Sequence, residues 1–164
     1  MQNMESCRTI EDLEKEYEEV SKGFGLPSFE KLAEDFDVEK VLEKESVFLL
    51  RDIRRIIGDK LSAYLHLFET LLNPTSPPMF IFSVLKGMKD DEKKEIREIY
   101  QKLAKLQLKT MKLDTIYDEK KEADFVKESF EEWQDMKIKI NQLLETFDKE
   151  FKEDSNSNKR GYFG

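Results

Sequence analysis

A chain of 164 residues is long enough for one domain that buries a core without disulfide or metal staples. Charged residues at 39% and hydrophobic residues at 38% are the balance of a helical bundle, not of a disordered chain. The net charge is −8, and residues 1–45 alone account for −8, which argues against a broad phosphate-binding surface.

At the start of the chain no basic segment precedes an apolar run, so no secretory signal is expected. Cys7, the single cysteine, has no bridging partner; it fits a reducing compartment and reads as an inert thiol. Thr9 then reads as a helix N-cap, with Asp12 as an imperfect capping box. Ile10, Leu13, Tyr17 and Val20 recur at spacings of three and four, a narrow apolar stripe that Gly23 should end. After the connector Phe24-Gly25-Leu26-Pro27, Ser28 caps a short helix with Phe29, Leu32, Ala33 and Phe36 on one face. Asp37 restarts the chain with Val38, Val41 and Leu42.

Glu45 or Ser46 begins the strongest predicted helix, which Asn73-Pro74 breaks after Leu72. At about 100° per residue, its apolar side chains from Leu49 to Leu72 cover an arc of about 200°. A surface helix shows an apolar face of roughly half that width, so 46–72 should be the central helix, contacted from at least two sides. Arg54 projects from the apolar arc. An isolated buried guanidinium is very costly, so Arg54 requires a carboxylate where that face meets another element. Gly58 sits near the edge of the polar arc, a possible close approach.

Ser76 and Pro77 open a short helix ended by Gly87, with Met79, Phe80, Ile81, Phe82, Val84, Leu85 and Met88 apolar on nearly every side. Such a helix is either buried all round or docks onto something, which makes Phe80 and Phe82 interaction candidates. From Met88 to Arg160 there is neither glycine nor proline, and long helix is expected. One stripe runs Ile96, Ile99, Leu103, Leu106, Leu113 and Tyr117. A second runs Val126, Phe130, Trp133, Ile140, Leu144, Phe147 and Phe151. Tyr117 and Val126 would fall on opposite faces of a straight helix. A break between Asp114 and Lys121, with Thr115 or Asp118 as the new N-cap, lets both stripes face one core. An antiparallel hairpin is the expectation and one unbroken helix the alternative. Ser155-Asn156-Ser157-Asn158 reads as a linker, which leaves a single helical domain over 1–153 and a flexible tail over 154–164. In that tail Tyr162-Phe163 is a candidate docking motif.

Little of this inventory is recognisable chemistry. His66 and Glu69 lie one turn apart, but His66 falls in the polar arc and reads as solvent-facing. Glu16-x-x-Glu19 followed by Glu34-x-x-Asp37 resembles, over about 22 residues, the paired carboxylates of the all-α nucleoside triphosphate pyrophosphohydrolases. The resemblance implies magnesium held by Glu16, Glu19, Glu34 and Asp37. The same spacing recurs at Glu119-x-x-Glu122 and at Glu128-x-x-Glu131, each with Glu145-x-x-Asp148, so a glutamate-rich chain generates the pattern freely. Arg51, Arg54, Arg55 and Lys60 form a small basic cluster with no aromatic partners on its polar side, a weak nucleic-acid candidate.

The expected fold is therefore all-α, a helical bundle with short N-terminal helices, a wide-faced central helix and a long C-terminal antiparallel hairpin. The expected role is a non-enzymatic protein–protein interaction or assembly module, cytoplasmic and without cofactor. Phe80, Phe82, Arg54 and Trp133 are its candidate contact residues. A metal-dependent nucleotide hydrolase and a weak nucleic-acid binder are the alternatives. The partner is another protein or a second copy, a homodimer if the chain leaves the hairpin stripes uncovered. No membrane partner is expected, since the longest apolar run, Met79 to Leu85, is too short to span a bilayer.

Overall fold

The computed structural model describes residues 8–43 and 47–160, with side chains as far as Ser157. Cys7, the expected helix start at Glu45 or Ser46, and Tyr162-Phe163 lie outside the described residues. Within them the chain is all-α, with no strand.

Helix α1 covers Ile10–Phe24. Its capping box is complete: the Asp12 amide donates to the Thr9 hydroxyl at 3.2 Å, and the Thr9 amide donates to the Asp12 carboxylate at 3.0 Å. These bonds hold the Asp12 carboxyl below its ordinary range. The helix runs through Gly23, and Gly25 at φ 63° supplies the left-handed cap that closes it. Helix α2, Phe29–Asp35, starts at Ser28, and a 3₁₀ helix follows over Val38–Glu43. These three elements pack on one another. Tyr17 anchors them, its ring 5.7 Å from that of Phe29 and its hydroxyl donating to the Pro27 carbonyl at 2.6 Å.

Helix α3 is Leu49–Leu72, α4 is Met79–Gly87, α5 is Asp90–Thr115 and α6 is Glu119–Arg160. The chain forms two compact units, each assembled from segments distant in sequence. Of the described residues, the first holds those up to Leu61 together with Leu106–Glu131; the second holds Ser62–Lys105 and those from Glu132 onward. Helix α3 thus lends its first half to one unit and its second half to the other.

In the first unit α3 is contacted from two sides, as its wide apolar arc predicts. Arg54 reaches Asp114 of α5 and Glu122 of α6, and Lys60 donates to the Asp35 carbonyl at the end of α2. Gly58 faces Thr110, but a Cβ there would stand 3.5 Å from the nearest threonine atom, an ordinary contact. Glycine therefore contributes only backbone freedom at this position. Gly58→Ala should raise stability by about 0.5–1 kcal/mol, seen as a higher midpoint in thermal unfolding; a lower midpoint would show that the helices meet more tightly than this.

The turn between α5 and α6 falls where the phase of the two stripes requires it. Thr115 closes α5 by donating to the Lys112 carbonyl at 2.7 Å, and Asp118 caps α6 by accepting from the Lys121 amide at 3.1 Å. The helices run antiparallel, with Lys109 paired to Glu128 in the first unit and Lys102 to Glu132 in the second. Ile96, Leu103, Leu106, Val126, Trp133, Ile140 and Phe147 are all buried.

Two further expectations change. Helix α6 continues through Ser155–Asn158 to Arg160, where composition predicts a linker. Its last described turns are held from outside: Asp154 accepts from the Ser83 hydroxyl at 2.8 Å, and Ser155 and Ser157 turn their hydroxyls back onto carbonyls of their own helix. Helix α4 starts at Met79, with Pro78 instead of Ser76 at the cap. It buries Ile81, Val84 and Met88 and exposes Met79, Phe80 and Phe82. No helix among the described residues is long and apolar enough to cross a membrane.

Candidate interaction site

Among the described residues, the buried charged side chains are Arg54 and Glu122, and the cluster they form is built around Arg54. Its guanidinium is 0% exposed, with Nε 2.8 Å from Glu122 Oε2 and Nη2 2.8 Å from Asp114 Oδ1. Burial pulls the Arg54 pKa down, the two carboxylates push it up, and the carboxylates prevail. Asp114 is correspondingly held below the usual carboxylate range, first by its bond from Arg54. Arg51 adds a bond to Glu122 at 3.3 Å and another to the Leu113 carbonyl at 3.2 Å, with its guanidinium 5.0 Å from the centre of the Tyr117 ring. Arg54 Nη1 remains buried without a hydrogen-bond partner.

This arrangement ties α3 to both arms of the hairpin and has consequences for the nucleic-acid alternative. Of the four basic residues, Arg51 and Arg54 are engaged by Glu122, and Lys60 is turned onto a carbonyl. Arg55 is half-exposed and lies 3.6 Å from Asp114. The cluster is a structural network around α3, not an outward-facing patch.

Nor are the carboxylates of the pyrophosphohydrolase-like motif gathered. Glu16, Glu19, Glu34 and Asp37 are all exposed; Glu16 pairs with Arg8, and Asp37 with Lys40 at 3.0 Å. Among the described residues no three His, Cys, Asp or Glu side chains come together as a metal-binding group. His66 is exposed, 3.7 Å from Glu69.

Of the four candidate contact residues, two present no surface. Arg54 is enclosed by its carboxylates, and Trp133 is packed with its ring 5.5 Å from that of Tyr64. Each lies on an apolar helix stripe, and the neighbours that cover it come from remote parts of the sequence. The hairpin stripes too are mostly covered within one chain, leaving Leu144 and Phe151 exposed. Beside the stripes, Leu108 and Met111 also stand exposed.

Phe80 and Phe82 are different. With Met79, 89% exposed, they stand 55% and 56% exposed at the start of α4. Met79 and Phe82 are one turn apart and share a side of the helix. Lys86 lies 6.0 Å from the centre of the Phe82 ring and 3.8 Å from Asp154, a basic margin to the apolar strip. The helix is held from behind: Ser83 bonds Asp154, and Gly87 lies so close to Glu150 that a Cβ would stand 2.9 Å from its carboxyl carbon.

Glu150 carries a cost of that close packing. Its Oε2 is buried with no hydrogen-bond partner. Burial raises its carboxyl above the ordinary 4.5, with Glu92 and Glu153 raising it further and Lys89 opposing them. A carboxyl whose folded pKa is raised stabilises the fold most at low pH, and that contribution is lost as pH rises through 4.5 and above. Glu150→Gln should therefore melt higher than the parent at pH 7, by a margin that shrinks toward pH 4. Melting curves across that range test it, and a margin independent of pH would contradict it.

No known protein family, curated protein or solved structure matches this chain.

Proposed function

We propose that the chain is a non-enzymatic protein-interaction module whose contact surface is the start of α4. The observation that supports this is the exposure of Met79, Phe80 and Phe82 on a helix whose other side is anchored by Ile81 and Val84. A helix presenting large apolar side chains one turn apart is the guest in helix-in-groove recognition. Exposed aromatic residues of this kind supply much of the binding energy at protein interfaces. The partner that fits is a protein with an apolar groove and an acidic margin, the margin facing Lys86.

The test is site-specific photo-cross-linking from position 82, with position 105 on α5 as control, in extract of the source cells. One partner should be captured from position 82 alone and lost when Phe80→Asp is added, with the melting temperature unchanged. Sedimentation equilibrium over a hundredfold range of concentration identifies a second copy if that is the partner. Equal capture from both positions, or capture indifferent to Phe80→Asp, would rule out α4 as the contact.

A further inference from the structure

The first unit carries a separate uncovered apolar feature close to the turn between α5 and α6. A groove of about 490 Å³ opens there between the two helices. Lys109, Lys112, Leu113 and Thr115 line it from the end of α5, Ile116 from the bend that follows, and Lys121, Asp124, Phe125 and Glu128 from α6. The α6 residues follow a three-four spacing and share one helix face. Leu113 and Phe125 form a buried floor, while Ile116 stands 76% exposed as its lip. The apolar surface continues beyond Ile116 to Tyr117, whose ring is 4.0 Å from that of Phe48.

The charges on the rim give the groove its preference. Lys109 is occupied by Glu128, both carboxylate oxygens lying 2.5 Å away. Lys121 reaches Asp118 only at 3.7 Å, and Lys112 makes no ion pair among the described residues. Of the two lining carboxylates, Glu128 is paired with Lys109, and Asp124 makes no ion pair among the described residues. In a chain of net charge −8, a rim with more lysines than carboxylates is an exception to the prevailing sign.

We propose that this groove docks an acidic amphipathic helix from a partner protein. Apolar side chains of the guest, one turn apart, fill the space over Leu113 and Phe125 beside Ile116. Its flanking carboxylates meet Lys112 and Lys121, which steers encounter and selects against basic guests. Lys109–Thr115, the helical part of that wall, spans about 10 Å, room for roughly two turns of guest helix. Concavity favours a helix over an anionic bilayer, because a lipid surface would leave the floor unfilled. The inference is independent of the role given to α4.

The experiment is fluorescence anisotropy with the full chain and a labelled amphipathic peptide of about four turns. One version carries glutamates beside its Leu/Phe stripe, and its twin carries lysines. The glutamate peptide should bind at least about tenfold tighter, weaken as salt rises, and be lost on Ile116→Asp and on Lys112→Glu with Lys121→Glu. Those side chains are exposed, so melting temperatures should not move, and Phe82→Asp should leave binding intact. Equal affinity for both peptides overturns the proposal, as does binding indifferent to the Ile116 and lysine variants. Adsorption to phosphatidylserine vesicles that is lost on Ile116→Asp, without peptide binding, assigns the surface to membranes instead.

Discussion

Glu122→Ala should be among the most destabilising single substitutions in this chain, with a loss of about 3–5 kcal/mol. Glu122 is fully buried and accepts from Arg54 Nε and Nη2 and from Arg51 Nε. Removing it leaves a buried guanidinium with only Asp114, whose carboxylate is about half exposed and so a weaker partner. Against a total stability of about 5–15 kcal/mol, such a loss shifts the melting point by about 6–20 °C. The companion variant carries the sharper information. Replacing both charges, Arg54→Met with Glu122→Leu, removes the desolvation cost together with the pair, and Arg54 already leaves Nη1 unpaired. The double variant should recover most of the loss. Thermal unfolding followed by circular dichroism decides it. A single variant within about 1 kcal/mol of the parent would mean that water reaches the network.

Trp133→Ala should approach the same magnitude, about 3–5 kcal/mol, by a different route. The indole is 4% exposed, in a unit whose core also includes Phe68, Ile96 and Met136. Its ring meets Tyr64 at 5.5 Å, and Tyr64 in turn lies 6.5 Å from Phe68. Deleting the largest side chain of that row opens a cavity that the rigid helices α3, α5 and α6 can close only partly. Trp133→Phe keeps most of the volume and should lose well under half as much. Urea unfolding separates the two variants by their midpoints at constant slope. Equal losses would show that the cost does not lie in the volume.

Local chemistry was legible in the residues themselves. The capping box at Thr9 and Asp12, the turn placed by the phase between Tyr117 and Val126, and the need of Arg54 for a carboxylate all follow from rules acting within a few residues. What did not follow was identity at a distance. Nothing near Arg54 points to Glu122, 68 residues on, among so many glutamates. The serines of 155–157 look like linker until Ser83 is found holding Asp154. Helix α4 is apolar all round in sequence, and only the packing of its far side separates buried Ile81 from exposed Phe82. The groove by Ile116 left a fainter trace. Lys109, Lys112, Leu113 and Ile116 share helical spacing, but a wide groove and a closed seam between helices leave the same pattern in a sequence.

The interleaving of the two units bears on how the chain is made. Arg54 leaves the ribosome 68 residues ahead of Glu122. At about 5–20 residues per second, that is an interval of about 3–14 s before the buried ion pair that joins α3 to α6 can form. The first unit therefore closes only after Ser62–Lys105 of the second has already been synthesised. The wide apolar arc of α3 is thus the segment that a chaperone would shield until α6 emerges.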